Sequence, residues 1–345
     1  MFVGFMKLRL GYYCSTEILN PLEIVDYASR AEKAGFDDTW VSDHFEPFVH
    51  TGSSCGFPWV IMSAIGERTS RTRIGTGVTA PILRYNPAII AQAFATLGFM
   101  YPGRIFLGLG TGEAVNEIPP GCTWPNFRQR AMMLEEAVQV IKLLWSGEFV
   151  SFKGKFYHLR KANLYTKPKE HIPLYLASWG PTVAELSGKY ADGHITLVSP
   201  SKHYKEILFP AVKKGAKAAG RDPKSIEMIL EMGVSYDEDY DKAVQGCEIR
   251  GYAALPILFK YPIYDPREIE EAVRAVSLEA ISSGWQIGNN AEDIIKRIES
   301  SIRLGFNEIH IESASPDENK FIRLMGEKII PYLKGTYDEV QSWTT

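Results

Sequence analysis

The sequence is short of the features that would announce a partner. Its four cysteines, Cys14, Cys55, Cys122 and Cys247, lie far apart with no C-x-x-C pair. That spacing excludes a disulfide scaffold, suggests no metal site, and fits free thiols in a reducing cytoplasm. No apolar run approaches the ~20 residues of a membrane span. The opening MFVGFMKLRL has no long apolar stretch with a cleavage site, so it does not read as a signal peptide. A net charge of −3 offers nothing to attract nucleic acid or an anionic membrane surface. There is no fixed-period repeat, no low-complexity tract and no linker rich in Pro, Gly or Ser. The 345 residues are therefore expected to form one domain, 1–345.

What is present is an alternation of short apolar runs with amphipathic helical stretches. Strands are expected at Leu8–Tyr12, Thr39–Val41, Ile74–Val78 and Ile105–Leu109. Four more are expected at Ile172–Ala177, His194–Val198, Ile226–Val234 and Glu308–Ile311. Helices are expected over Pro21–Ala34, with Asn20 as cap and Gly35 as stop, over Pro87–Phe99, and over Arg128–Trp145. Phe94, Phe99 and Phe106 read as core. Strands alternating with helices imply a parallel sheet. Eight such units closing on themselves give an α/β fold of the (β/α)8 TIM-barrel type. Insertions are expected at about 146–171, which alternates like a hairpin about Lys153-Gly154, and at about 236–290.

In such a barrel the residues just after each strand converge on one face, where chemistry is built. The stretch Tyr101–Glu117 ends a strand in three alternate glycines, Gly108, Gly110 and Gly112, followed by Glu113, Asn116 and Glu117. Glycines at a strand exit let a bulky ligand approach the backbone closely. The spacing misses the dinucleotide fingerprint, because the third glycine comes one residue early. His44 leaves the second strand beside Asp43, and an imidazole oriented by a carboxylate is suited to proton transfer. Glu17 leaves the first strand, so Glu17, His44 and Glu113 share one expected rim. Ser178-Trp179-Gly180-Pro181-Thr182 opens a helix, where free N–H groups suit a phosphate or serve as ordinary punctuation. Lys202 and Lys260 are either clasps for an anionic substrate or solvated lysines.

Five motifs carry a family resemblance: GYYCSTE (Gly11–Glu17), VSDHFEPF (Val41–Phe48), RYNPAIIAQAFATL (Arg84–Leu97), YPGRIFLGLGTGEAVNE (Tyr101–Glu117) and LLWSG (Leu143–Gly147). Together they resemble the coenzyme F420-dependent dehydrogenases of the luciferase-like superfamily, in particular the glucose-6-phosphate and secondary alcohol branches. The resemblance runs from about Leu8 to about Lys334 and is densest up to Gly147. It implies a deazaflavin in the barrel mouth with its ring over Gly77-Val78, joined by a non-prolyl cis peptide. It also implies that Asp43, Gly112, Asn116 and Ala177–Thr182 hold ring edge, ribityl chain and phosphate. His44 and Glu17 match residues near the substrate hydroxyl, and Glu113 matches the acid beneath the ring. The implied reaction passes hydride from an alcohol carbon to C5 of F420, with His44 or Glu17 as base; FMN is the less favoured cofactor. A small-molecule alcohol or sugar phosphate is the implied partner, and a homodimer the implied assembly. An F420H2-dependent reductase, such as methylenetetrahydromethanopterin reductase, and a non-catalytic deazaflavin-binding protein are the other readings.

The chain departs from the phosphosugar branch at several substrate positions. Phe48 stands where the family has tryptophan. Gly284, just before the matching Trp285, stands where a glucose-6-phosphate dehydrogenase has arginine. Lys202 lies about two places late, and only Lys260 matches well. Losing a bidentate guanidinium removes a strong phosphate ligand, so an uncharged or differently charged alcohol is expected rather than a phosphosugar. KYPIYDP (Lys260–Pro266) and SPDEN (Ser315–Asn319) also look more like the secondary alcohol branch.

Overall fold

Each apolar run becomes one stave of a closed parallel barrel. A computed structural model describes residues 5–197, 200–337 and 339–341. The barrel strands are β1 (Arg9–Cys14), β2 (Asp38–Val41), β3 (Arg73–Thr76), β4 (Ile105–Leu109), β5 (Leu174–Ala177), β6 (Gly193–Leu197), β7 (Glu227–Tyr236) and β8 (Glu308–Ser313). They pair in that order, all parallel, and β8 closes onto β1 through Ile309–Leu10 and Ile311–Tyr12. The expected TIM barrel is what forms. Strand ends shift by up to two residues, and the expected end of the sixth strand, Val198, lies outside the described residues.

Local signals place the helices. Asn20 caps α1 (Pro21–Ala34) by accepting from the Leu22 and Glu23 amides, and the Glu23 carboxylate accepts the Asn20 amide in return. Gly35 ends the helix at φ +101, a left-handed conformation that glycine tolerates. Beyond it stand α2 (Pro58–Arg68), which the sequence reading passed over, α3 (Pro87–Met100), α4 (Phe127–Ser146) and α5 (Pro181–Tyr190). Ile90, Phe94 and Leu97 turn the inner face of α3 to the barrel. Phe99 is not core: it falls on the outer face and is 46% exposed. No helix among the described residues is long and apolar enough to cross a membrane.

Inward-facing side chains fill the barrel in layers. At the base, Arg73 binds Asp38 with Nε–Oδ1 2.5 Å and Nη2–Oδ2 2.9 Å, and reaches Glu308 at 2.9 Å. Arg9 bonds Glu308 and also Glu227, the latter at 2.7 Å. Above this ionic layer, Trp40 stacks on His310 with ring centroids 3.7 Å apart, packed against Phe106 and Tyr175. Gly11 leaves room for that stack, because a Cβ there would come within 2.2 Å of His310 Nδ1.

Two segments depart from the barrel. Val150–Lys153 and His158–Ala162 form an antiparallel hairpin. The stretch expected to be irregular from Tyr236 onward is a set of short helices: Tyr240–Gly246, Cys247–Ala254, Pro266–Arg274 and Leu278–Ser282. Asp265 caps one of them, as its Asp-Pro pair suggests. The chain then adds a strand, Gln286–Gly288, beside the upper half of β7.

Candidate active site

The mouth at the carboxyl end of the barrel is a cavity of about 730 Å3, within the size range of cofactor sites. Glu17, Asp43, His44, Phe48, Gly77, Val78, Gly112, Glu113, Asn116, Ala177, Ser178, Trp179 and Trp285 all line it. Gly180, Pro181 and Thr182 do not; they form the first turn of α5 just behind Trp179. Lys202 and Lys260 also stand apart from the lining. Lys202 lies in the short helix Ser201–His203, is 79% exposed, and faces Glu206 at 3.9 Å. Lys260 is exposed on the insertion.

Backbone geometry shapes one wall. The Gly77–Val78 peptide is cis, as the resemblance implies, and Tyr13 Oη donates to the Gly77 carbonyl at 2.9 Å. A Cβ on Gly77 would lie 2.4 Å from Trp40 Cε3, and one on Gly110 would lie 2.8 Å from Val78 Cγ2. Gly112 has φ +74, in the region where side chains are rare. The missing side chains at Gly77 and Gly110 make room for Trp40 and Val78 within the protein.

His44 and Glu113 meet across this wall, Nε2 to Oε2, at 3.7 Å. They are held by Asn116, which lies in a four-residue helix, Ala114–Glu117, rather than the expected turn. Asn116 Oδ1 accepts the Phe45 amide at 2.8 Å, which fixes Nδ2 as the donor. Nδ2 then faces Glu113 Oε2 and His44 Nδ1, each at 3.2 Å. His44 Nδ1 also lies 3.2 Å from the Glu46 carbonyl. When Nδ1 carries the proton it donates to that carbonyl, Asn116 Nδ2 donates to Glu113 alone, and Nε2 is left as a free base.

Asp43 does not orient His44, contrary to the expectation from their adjacency. Successive residues leaving the strand point apart, and the Asp43 carboxylate accepts from Arg84 at 2.6 Å, Tyr85 at 3.1 Å and Thr79 at 2.6 Å. Arg84 also bonds Glu117 at 3.0 Å. Burial would lower the Arg84 pKa, but Asp43 and Glu117 outweigh it and raise the guanidinium above its ordinary value.

The carboxyls of the mouth divide in character. Burial pushes Glu17 up, but His44, Arg250 and the Ser42 hydroxyl at 2.5 Å pull harder, and its pKa falls. Burial raises Glu113, reinforced by Glu17 and opposed by His44 and Arg84. Sequence reading missed Glu231 and Glu312, which face inward from β7 and β8. Their signal was there: each is an acid on the inward face of an apolar strand. It also missed Arg250, which reaches down from the insertion to Glu312 at 2.6 Å and Ser15 at 2.7 Å. Tyr252 completes this side of the mouth by stacking on Phe48.

The arrangement fits a deazaflavin. The glycine wall leaves a flat face for a ring. The N-terminal N–H groups of α5 receive no side-chain cap, so they are free for a phosphate.

Comparison with known proteins follows from this geometry. The sequence model of the luciferase-like monooxygenase family matches residues 2–308. The chain is 41% identical to F420-dependent glucose-6-phosphate dehydrogenase 2 of Rhodococcus jostii, over 95% of this chain and 98% of that one. It is 40% identical to F420-dependent glucose-6-phosphate dehydrogenase of Mycolicibacterium fortuitum, with the same coverage. An F420-dependent secondary alcohol dehydrogenase, solved with an F420-acetone adduct, superposes with a TM-score of 0.91 at 40% identity, covering 94% of this chain and 99% of that one.

Proposed function

We infer the reaction from one premise, that the chain belongs to the luciferase-like monooxygenase family. It is an oxidoreductase that uses coenzyme F420 and transfers hydride from the CH–OH carbon of an alcohol to C5 of that cofactor. The observation that carries this reading is the convergence of Glu17, His44 and Glu113 on one glycine-walled cavity. When bound, F420 supplies the hydride acceptor. The Gly77–Val78 wall and Gly112 would seat its ring, Asn116 and Asp43 would stand at its edge, and Ala177–Trp179 with the α5 N-terminus would take its phosphate.

The protein's own residues manage the proton. His44 Nε2 takes the proton of the substrate hydroxyl while Nδ1–H stays on the Glu46 carbonyl. Glu17 is the poorer base, because its carboxyl is held below the ordinary range. Its retained charge instead stabilises the imidazolium that forms. Glu113, raised by burial, is the acid on the ring side of the cavity.

The substrate is a neutral alcohol. No lysine lines the cavity among the described residues, and its arginine, Arg84, is bound to Asp43 and Glu117. Gly284 replaces an expected phosphate ligand. A sugar phosphate is the second reading, favoured by the names of the 40% identical relatives. We further take residues 1–345 as one domain with insertions at about 146–171 and 236–290, and the site of action as the cytoplasm, with all four cysteines free. The assembly is a homodimer, joined through the exposed apolar face of α2 and α3 at Val60, Ile89 and Met100.

Titration of the purified protein with F420 and with FMN tests the cofactor. Assays with secondary alcohols and sugar phosphates then test the reaction. F420 binding followed by reduction with neutral alcohols is expected; binding of FMN alone would overturn the assignment.

A further inference from the structure

The ten-residue β7 serves two neighbours in turn. Its lower half pairs with β6, ending at Glu231–Leu197, and its upper end pairs with the added strand from Val234–Gln286 onward. Glu231 stands at this fork, on the same inward face as its β8 partner His310. Its side chain lines the active-site cavity.

Glu231 differs from every other carboxyl in that lining. Glu17 accepts from Ser42, Glu113 from Asn116, Asp43 and Glu117 from Arg84, and Glu312 pairs with Arg250. Glu231 has no hydrogen-bond or ion-pair partner among the described residues. A half-buried carboxyl that faces a cavity without a protein partner is free to bind a polar group that enters there. There is also room for an arrival. A Cβ at Gly284 would meet nothing closer than the Ile281 carbonyl at 3.8 Å, whereas the Trp285 ring packs tightly on Gly233 and forms the neighbouring wall of the cavity.

We propose that Glu231 is a substrate-contacting, specificity-determining residue whose carboxyl hydrogen-bonds a second hydroxyl of the alcohol, so that the natural substrate is a neutral diol or polyol. This rests on the reading of the chain as an F420-dependent alcohol dehydrogenase. One hydroxyl meets His44, the second meets Glu231, and the carbon skeleton lies along Trp285 and Ile281. Burial raises the Glu231 carboxyl well above its ordinary range, Glu312, Glu17 and Glu113 add to the rise, and Arg250 opposes it. The rise favours the neutral carboxyl, which can donate to a hydroxyl. A site built to hydrogen-bond a hydroxyl rejects the analogue that lacks it.

The test is binding to the F420-loaded protein, measured by calorimetry for propylene glycol, glycerol, isopropanol and isopropanolamine. Wild type is compared with Glu231→Gln and Glu231→Leu, with Glu231→Met serving where the leucine variant does not fold. Wild type should prefer propylene glycol over isopropanol by about tenfold or more. The glutamine variant should keep most of that preference, and the apolar variants should lose it. A wild type with no diol preference, a preference unchanged in the apolar variants, or tight binding of isopropanolamine in place of the diol would each overturn the proposal. Turnover separates the two readings. Loss of diol preference in the apolar variants, with no alcohol reducing F420, would leave Glu231 assigned and the reaction rejected. Turnover with an unchanged preference would do the reverse.

Discussion

Phe48 and Tyr252 lie face to face, ring centroids 4.2 Å apart and planes within 16°. One ring belongs to the loop after β2 and the other to the insertion after β7, so the stack fastens the insertion over the mouth. Glu270 adds a second fastening by accepting from the His50 and Thr51 amides at 3.0 and 2.9 Å. Val115, Leu258 and Ile269 pack around the stack. Where a tryptophan is expected from the family, Phe48 gives up an indole N–H and gains a flat partner.

Replacing Tyr252 with alanine should loosen this lid while leaving His44 and Glu113 in place. An aromatic pair is worth about 0.5–1.5 kcal/mol beyond the area it buries. We expect KM for the alcohol to rise by about tenfold with a smaller fall in kcat. Steady-state kinetics with saturating F420 reads the split; a fall confined to kcat would contradict it.

His44→Ala and Glu113→Gln should both bind F420 with affinity near that of wild type. Each should lose turnover by about a hundredfold or more, the ordinary scale for removing a general acid or base. Fluorescence titration and stopped-flow reduction measure the two quantities on the same samples. Unchanged turnover in both variants would remove the roles assigned here.

Arg84→Ala should strip the partner from two buried carboxylates, Asp43 and Glu117. Leaving a buried charge uncompensated costs about 3–5 kcal/mol. The variant should melt several degrees lower and bind F420 weakly, because Asp43 and Asn116 share the loops that Arg84 ties together. Denaturant titration gives the first figure and cofactor titration the second.

Acid should unfold the protein through its base layer. Burial would raise Glu308, but Arg9, Arg73 and His310 overcome it and hold the carboxyl well below its ordinary 4.5. A depressed carboxylate stabilises the fold above its unfolded pKa, and that stability is lost as pH falls through the folded value. Melting temperature should therefore drop steeply below about pH 4.5. Glu308→Gln should be less stable than wild type at neutral pH and should flatten the slope.

Much of this molecule was legible in its sequence where the cause is local. Asn20, Glu23 and Gly35 bound α1 by bonds within a few residues, so the helix reads directly. The Gly108–Gly112 exit is equally local. What was hidden depends on distant pieces. Arg250 meets Glu312 and Ser15 across the whole chain, and spacing says nothing of such a pair. Adjacency misled in the other direction at Asp43, whose carboxylate turns away from His44 to a triad of donors. Lys202 looked like a mouth residue because it follows a strand closely, but it lies in a short helix, Ser201–His203, exposed and turned to Glu206.

The stacked Trp40–His310 pair and the charged floor beneath it have a kinetic consequence. They fill the barrel from wall to wall, so the mouth is a blind alley with a single doorway. Cofactor and alcohol must both come and go on the carboxyl-terminal side of the barrel, past the Phe48–Tyr252 stack.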